Sequence, residues 1–246
     1  MTIIIPMAGL SARFLTAGYT LPKYMLYVKD KSLFNLAVSS FDKYFTTCRF
    51  IFITRNIFDT ETFIHDECKL LGIHNSTVVI LDKPTRGQAE TVFKGIENVY
   101  IPNSEPILIF NIDTFRPNFV FPESLGEWDG YLEVFKGSGK NWSYAKTKNN
   151  TSTKVIETAE KQEISEFCST GIYYFRSASY FKDAYNEYLH MPLSKELYVA
   201  PLYNILIGNG KNIHINLIKR EDVVFCGTPH EYINYLYQVV NVSVNA

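Results

Sequence analysis

The sequence predicts an α/β fold: a Rossmann-like mixed, mostly parallel sheet with helices on both faces, followed by an antiparallel excursion. Three observations carry this. Short apolar runs alternate with longer amphipathic ones through the first half of the chain, the pattern of strand-helix-strand units. The first run, Thr2–Pro6, breaks at once into a loop of mostly small residues, Met7-Ala8-Gly9-Leu10-Ser11-Ala12, as strands do at the carboxyl edge of an open sheet. The pattern changes after Gly126, where a stretch rich in Gly, Ser, Asn, Thr and Lys interrupts the alternation.

Strands are expected at Thr2–Pro6, Arg49–Thr54, Thr77–Leu81 and Pro106–Ile112. Between them, Ser32–Phe45 sets Leu33, Ala37, Phe41 and Phe45 on one face at helical spacing. Asp59–Leu71 does the same and stops at Gly72, and Gly87–Asn98 is a third helix. Gly130–Phe135 and Gly171–Arg176 then read as strands, with an exposed hairpin or loop over Gly137–Lys154. Helices return at Ala178–His190 and at Glu196–Ile207, the latter stopped by Gly208. A strand at Asn212–Ile218 and a helix at Pro229–Val240 follow. No internal repeat or low-complexity linker divides the chain. One domain over 1–246 is expected, with halves of about 1–116 and 117–246 meeting at a crevice.

Composition narrows the function. The chain has 246 residues, 46% of them hydrophobic and 20% charged, an ordinary globular balance. A net charge of -1 argues against a general binder of nucleic acid or anionic membrane, so any anion site must be local. The four cysteines are widely spaced and offer no zinc pattern; buried thiols in a reducing cytosol are expected. The first strand begins directly after Met1, which leaves no room for a secretory leader, and no apolar run reaches spanning length. A cytoplasmic protein is expected. Its 17 Tyr and 18 Phe are scattered as packing residues, without the basic interleaving of a single-strand binder.

The loop after the first strand carries one fixed cation, Arg13, and Pro22-Lys23 follows closely. Small residues let backbone N–H groups approach an anion, and Arg and Lys neutralise oxygens the backbone cannot reach. A phosphate-handling site within the first 23 residues is therefore expected; the alternative is a tight turn whose Arg13 sits in solvent. A dinucleotide turn needs Gly-x-Gly-x-x-Gly and a P-loop needs Gly-Lys-Ser/Thr, and neither occurs here.

Three later constellations add chemistry. Pro84–Val92 opens the third helix, where Thr85-x-x-Gln88 fits a capping box and Gly87 with Gln88 fits contact with a planar base; the sequence leaves both open. Asn111-Ile112-Asp113-Thr114 ends a hydrophobic strand, where a carboxylate serves Mg²⁺ and phosphate or caps the next turn. Glu160-Lys161 precedes Ser169-Thr170-Gly171-Ile172-Tyr173, and Lys161 either holds a second phosphate or belongs to an exposed charged turn.

In this order the segments resemble the sugar-phosphate nucleotidylyltransferase family, including members that serve capsule and surface polysaccharide synthesis. That family opens with a strand, Gly-x-Gly-Ser/Thr-Arg and then Pro-Lys; Gly9, Arg13 and Pro22-Lys23 match. Pro84–Thr91 resembles its base-binding loop, Asn111-x-Asp113 its metal-binding strand end and Glu160-Lys161 its pair for the acceptor. Cys168–Tyr173 resembles its acceptor strand, and Glu196-Leu197-Tyr198-Val199 and Gly227-Thr228-Pro229 its late landmarks. The resemblance spans nearly the whole chain and makes the antiparallel excursion the acceptor side. It implies that Arg13 and Lys23 hold the triphosphate, that Ala8, Gly9, Ser11, Gly87 and Gln88 bind the nucleotide, and that Glu160, Lys161, Thr170 and Gly171 bind the acceptor. It further implies Mg²⁺ on Asp113.

The chain departs from the pattern at two places. Ser11 and Ala12 stand where the loop has its second Gly and its Ser/Thr. Phe225, in Phe225-Cys226-Gly227-Thr228, stands where the family often has a second metal carboxylate, and Asp222 is the expected replacement.

The implied reaction is attack by an acceptor phosphate on the α-phosphorus of a nucleoside triphosphate, with pyrophosphate leaving. Phosphate is already ionised at neutral pH, so positioning and charge neutralisation suffice without a His base or Ser triad. The implied partners are a nucleoside triphosphate and a phosphorylated small-molecule acceptor, with no nucleic acid or membrane; a homodimer is compatible with the family. The rival readings are a cytidylyltransferase acting on a non-sugar phosphate, a related glycosyltransferase and a non-catalytic nucleotide-binding regulator.

Overall fold

The computed structural model describes residues 1–149, 151–190 and 194–244. Its strands are β1 (Thr2–Pro6), β2 (Tyr27–Val28), β3 (Lys31–Ser32), β4 (Arg49–Arg55), β5 (Ser76–Leu81), β6 (Ile107–Phe110) and β7 (Thr114–Phe115), then β8 (Gly130–Lys136), β9 (Ser143–Thr147), β10 (Val155–Glu160), β11 (Phe167–Phe175), β12 (Ile213–Leu217) and β13 (Val224–Phe225). Its helices are α1 (Ala12–Thr16), α2 (Leu33–Val38), α3 (Thr60–Leu71), α4 (Gln88–Glu97), α5 (Ala178–His190), α6 (Leu202–Gly208) and α7 (Pro229–Val244).

A nine-stranded sheet runs β10-β9-β11-β6-β1-β4-β5, and β8 pairs with both β11 and β12. The pairs β6·β1, β1·β4 and β4·β5 are parallel, and β11 enters antiparallel to β6. This is the expected mixed, mostly parallel sheet with an antiparallel excursion. Its cause lies in the strand composition. Ile3 and Ile5 face one side of the sheet and Ile4 the other, and all three are fully buried, which requires helices on both faces. Ala89, Val92 and Ile96 of α4 pack on one face with α5 and α6; Leu33, Phe34 and Ile64 of α2 and α3 pack on the other.

Several expected elements differ in extent. The helix over Ser32–Phe45 is α2 followed by a 3-10 turn over Ser39–Tyr44, because Phe41 leaves helical geometry at φ -110°, ψ 24°. Leu33, Ala37 and Phe41 are still buried on one side. The helix expected from Glu196 starts only at Leu202. The backbone of Leu197 is committed elsewhere: its N–H donates to Arg86 O at 2.8 Å, and its carbonyl accepts from Ala89 N at 2.9 Å. The polar stretch Gly137–Lys154 contains β9 and turns into β10, so it forms a hairpin; its Asn150 lies outside the described residues. The strand near residue 213, β12, pairs parallel with β8. Two short ribbons were not foreseen: β2·β3, and β7·β13, which sets Phe225 opposite Thr114 and so carries the chain after Arg220 back to the end of β6.

Candidate active site

One cleft of about 760 Å³ opens at the carboxyl ends of β1 and β6 and reaches across to β10 and β11. One wall comes from the loop after β1. Ala8, Gly9 and Arg13 line the cleft. Ser11 does not: it adopts the left-handed conformation (φ 50°), and its hydroxyl accepts from the backbone N–H of Lys23 at 3.3 Å, tying the loop to Lys23. Among the described residues the Arg13 guanidinium has no hydrogen-bond or ion-pair partner. Lys23 Nζ lies 2.5 Å from Asp113 Oδ2, each side chain about one-fifth exposed.

Asp113 is fixed from behind, because its carbonyl accepts from Cys226 N at 2.8 Å. Gly227 then leaves open the space in front of its carboxylate. A Cβ at Gly227 would lie 2.9 Å from Asp113 Oδ2 and 3.7 Å from Glu231 Oε2. Glu231 itself closes a capping box with Thr228 at the start of α7: its Oε2 accepts from Thr228 N at 2.8 Å, and its N–H donates to Thr228 Oγ1 at 3.2 Å. No group of three or more His, Cys, Asp or Glu able to hold a metal occurs among the described residues. The donor set nonetheless fits Mg²⁺, which is usually held by one or two carboxylates together with substrate phosphates and water.

Asp222 is not brought to this place. It sits in the 3-10 turn Arg220–Asp222, where its carboxylate accepts from Lys219 N at 3.3 Å and its carbonyl from Arg116 Nη1 at 3.4 Å. It does not line the cleft, and the expectation that it replaces the missing carboxylate is corrected accordingly. The β7·β13 pairing explains why. It brings position 225 to the cleft, and three residues upstream the chain is still on the turn bonded to Arg116.

The middle of the cleft is a close approach of three segments. Gly87 has φ 146°, and a Cβ there would lie 2.5 Å from Leu197 O. Gly171 has φ 95°, and its Cβ would fall 2.4 Å from Asn111 Nδ2. Both positions therefore demand glycine on steric and conformational grounds. Gln88 Nε2 donates to Asn111 Oδ1. The capping box open in the sequence is not formed: the Thr85 hydroxyl pairs with that of Thr91 at 2.6 Å, and the acid that turns back on the helix start is Glu90, onto Arg86 N.

On the far side, Glu160 ends β10 and Lys161 follows in the left-handed conformation (φ 58°), its N–H donating to Trp142 O at 2.9 Å. The Ser143 hydroxyl donates to Glu160. Burial pushes the Glu160 carboxyl above the usual range, while the Ser143 bond and nearby Lys161 pull it back. Lys161 Nζ donates to Tyr198 Oη, lies 3.7 Å from Glu196 and sits 4.6 Å from the Tyr198 ring centre. Thr170 and Gly171 lie where the β11·β8 register shifts. The buried Thr170 hydroxyl donates to Glu133 Oε1 at 3.2 Å, which Arg116 Nε also meets at 3.0 Å.

The cleft thus gathers Ala8, Gly9, Arg13, Lys23, Gly87, Gln88, Asp113, Glu160, Lys161, Thr170 and Gly171, and leaves out Ser11 and Asp222. Trp142, Ser143, Tyr173, Lys195, Glu196, Tyr198, Phe225 and Glu231 also line it and were not assigned roles from sequence. The Thr228-x-x-Glu231 spacing was a usable signal; the others come together only through the fold.

Comparison with known proteins decides the family. No protein-family model and no curated protein matches the sequence. A nucleoside-diphosphate-sugar pyrophosphorylase from Vibrio cholerae RC9, known from its crystal structure, is 50% identical, with 96% of this chain and 99% of that chain covered and a TM-score of 0.93. The chain belongs to the nucleoside-diphosphate-sugar pyrophosphorylases. It is thus an enzyme of the sugar-phosphate nucleotidylyltransferase type. An apo UDP-glucose pyrophosphorylase (14% identity, 98% of both chains, TM-score 0.75) shares the fold, as does an inositol-1-phosphate CTP transferase from T. maritima (15% identity, 96% of this chain and 94% of that chain, TM-score 0.71). In this pyrophosphorylase no helix among the described residues is long and apolar enough to cross a membrane, and all four cysteines are buried and free.

Proposed function

We propose that this nucleotidylyltransferase transfers a nucleoside monophosphate group from a nucleoside triphosphate to a sugar phosphate in one Mg²⁺-supported step. The observation that carries the reading is the pairing of two cation-bearing ends in one cleft: Arg13 and Lys23 with Asp113 at one end, Lys161 with Glu160 at the other. Such an arrangement suits two phosphorylated substrates and little else. On this reading residues 1–116 form the nucleotide half and 117–246 the acceptor half.

Arg13 and Lys23 neutralise the triphosphate and the pyrophosphate that leaves. Ala8, Gly9 and Ser11 shape the loop, with Ser11 acting through its bond to Lys23 N. Gly87 lets the backbone approach the base, and Gln88 orients against it from Asn111. Lys161 holds the acceptor phosphate, Glu160 accepts from the acceptor's hydroxyls, and Thr170 and Gly171 set the strand beneath it. An acceptor phosphate oxygen attacks the α-phosphorus as the bond to the pyrophosphate oxygen breaks, and no protein group need take a proton. Asp113, with Glu231 beside it, would hold Mg²⁺, which when bound supplies charge neutralisation at the phosphate oxygens. The activated sugar would feed capsule or surface polysaccharide, in the cytoplasm.

A panel tests this: each nucleoside triphosphate against several sugar and non-sugar phosphates with Mg²⁺, read as pyrophosphate release. One triphosphate with at least one sugar phosphate should give turnover. Turnover confined to a non-sugar phosphate would move the enzyme to the cytidylyltransferase-like alternative. Nucleotide binding by calorimetry with no turnover for any acceptor would sink the reading.

A further inference from the structure

Phe225 lines the cleft two residues before Gly227, and its surroundings are built for a ring. Trp142 packs on it with ring centres 4.7 Å apart, and Phe135 closes the group at 5.1 Å from Trp142 and 5.5 Å from Phe225. Phe135 is buried, whereas Trp142 and Phe225 are only partly buried and line the cleft. Behind them the Arg220 guanidinium lies 4.9 Å from the Phe225 ring centre and 5.3 Å from that of Phe135. Two of the three rings form part of the wall of a polar cleft.

The position of the pair gives it a use. Trp142 O accepts from the N–H of Lys161, so the indole is anchored to the residue at the acceptor end. Phe225 is followed by Cys226, whose N–H holds the Asp113 carbonyl, so the phenyl ring is anchored to the residue at the phosphate end. The two rings span the wall between those ends. Ser143, next to Trp142, presents a hydroxyl bonded to Glu160, so polar groups flank the aromatic surface.

We propose that Trp142 and Phe225 form a shelf for the sugar ring of the acceptor, its C–H face on the two aromatic rings and its hydroxyls toward Ser143 and Glu160. Partly exposed aromatic faces beside hydroxyl-accepting groups match the two kinds of surface a pyranose presents. A cationic head group fits less well, because it would meet the positive charges of Lys161 and of Arg220, whose guanidinium lies 4.9 Å from the Phe225 ring centre. The inference deepens the proposed transfer reaction and rests on it. It makes Trp142 and Phe225 determinants of acceptor specificity.

The test splits the two substrates. Phe225→Ala and Trp142→Ala should each raise the KM for the preferred sugar phosphate by about tenfold, the size of a truncated aromatic contact, and leave the triphosphate KM near its wild-type value. Phe225→Tyr and Trp142→Phe keep a ring and should recover most of the acceptor affinity. A second readout is free of turnover. The chain has two tryptophans, and the other, Trp128, stacks on His214 outside the cleft. A nucleoside diphosphate-hexose should change tryptophan emission, the matching nucleoside diphosphate should not, and Trp142→Phe should abolish the change. Unchanged acceptor KM in folded alanine variants would overturn the shelf, as would a rise confined to the triphosphate. Should those variants not fold, equal emission changes with and without the hexose would overturn it. If sugars are refused while a non-sugar phosphate is turned over, the shelf fails and nucleotidyl transfer stands; if no acceptor works, both fail.

Discussion

At the proposed nucleotide end of the cleft Arg13 has no side-chain partner among the described residues and the Lys23 ammonium meets Asp113, whereas at the proposed acceptor end the charged groups are tied to one another: Glu160 to Ser143, and Lys161 to Tyr198 and Glu196. The first end offers its cations ready for a polyanion. The second is satisfied internally and must exchange partners when a phosphate arrives. That exchange is cheap. Lys161 and Glu196 are each about half exposed, and such a pair is worth only about 0–1 kcal/mol, less than a charge-assisted bond to phosphate. The glycines follow the same division. Gly227 keeps open the space before Asp113, while Gly87 and Gly171 let the two sides of the cleft close on Leu197 and Asn111.

The sharpest way to break this comparison is at Asp113, whose carboxylate meets the Lys23 ammonium beside the Gly227 gap. Asp113→Ala should lower kcat by on the order of 10³-fold, because it removes the carboxylate proposed to hold Mg²⁺ and takes away the ion pair with Lys23. Its backbone bond to Cys226 survives, so the melting temperature should stay close to wild type. A folded Asp113→Ala protein with near-normal turnover would end the metal assignment.

A crossed pair of variants comes next. Arg13→Ala should raise the triphosphate KM by about tenfold and leave the acceptor KM largely alone, and Lys161→Ala should do the reverse. If the two exchange roles, the ends have been read backwards. Gln88→Ala is smaller and more specific. Its amide bonds Asn111 rather than capping α4, so stability should change by no more than about 0.5 kcal/mol while preference among the four triphosphates relaxes. A lower melting temperature with unchanged base choice would return Gln88 to a structural role.

Glu160 tests whether the acceptor end carries a cost for its function. Burial raises its carboxyl above the ordinary range, so its proton is held more tightly in the folded protein than in the unfolded chain. Its contribution to stability is then fully present below the ordinary carboxylate pKa and lost as pH rises through the raised one. Glu160→Gln should therefore be at least as stable as wild type at pH 7, yet show a raised acceptor KM. In wild type the acceptor KM should fall as pH rises through the raised carboxyl pKa, and that dependence should vanish in Glu160→Gln. Loss of stability at neutral pH would show that ionised Glu160 holds the fold.

What was legible in the sequence follows the range of the interactions involved. Thr2–Pro6, Ala178–His190 and the Gly72 stop were readable because side-chain period and local φ preference fix them. The helix expected over Glu196–Ile207 starts only at Leu202 because Leu197 commits its backbone bonds to Arg86 and Ala89, more than a hundred residues away. At the site, Arg13, Lys23, Asp113 and Lys161 stood out as charges beside strand ends. Trp142 did not, and Phe225 stood out only as a missing carboxylate, since aromatic residues in a chain so rich in them read as core until the fold sets them along the cleft.

The smallest expected effect is at Asp222. The family resemblance makes it the expected substitute for the carboxylate that Phe225 replaces. In the fold its carboxylate meets only the amide of Lys219, and the bond to Arg116 comes from its carbonyl, which a side-chain change leaves in place. Asp222→Ala should therefore leave kcat and the Mg²⁺ concentration for half-maximal rate unchanged, with a stability loss of about 0.5–1 kcal/mol from the missing cap. The charge also sits near buried Glu133, whose carboxyl is already raised by its own burial, and Asp222 adds slightly to that rise. Removing it relieves Glu133 and offsets part of the lost cap. A shifted Mg²⁺ dependence would instead mean that the Arg220–Asp222 turn swings to the cleft when nucleotide binds, and the contrast between an open nucleotide end and a self-satisfied acceptor end would have to be redrawn with a carboxylate that moves between them.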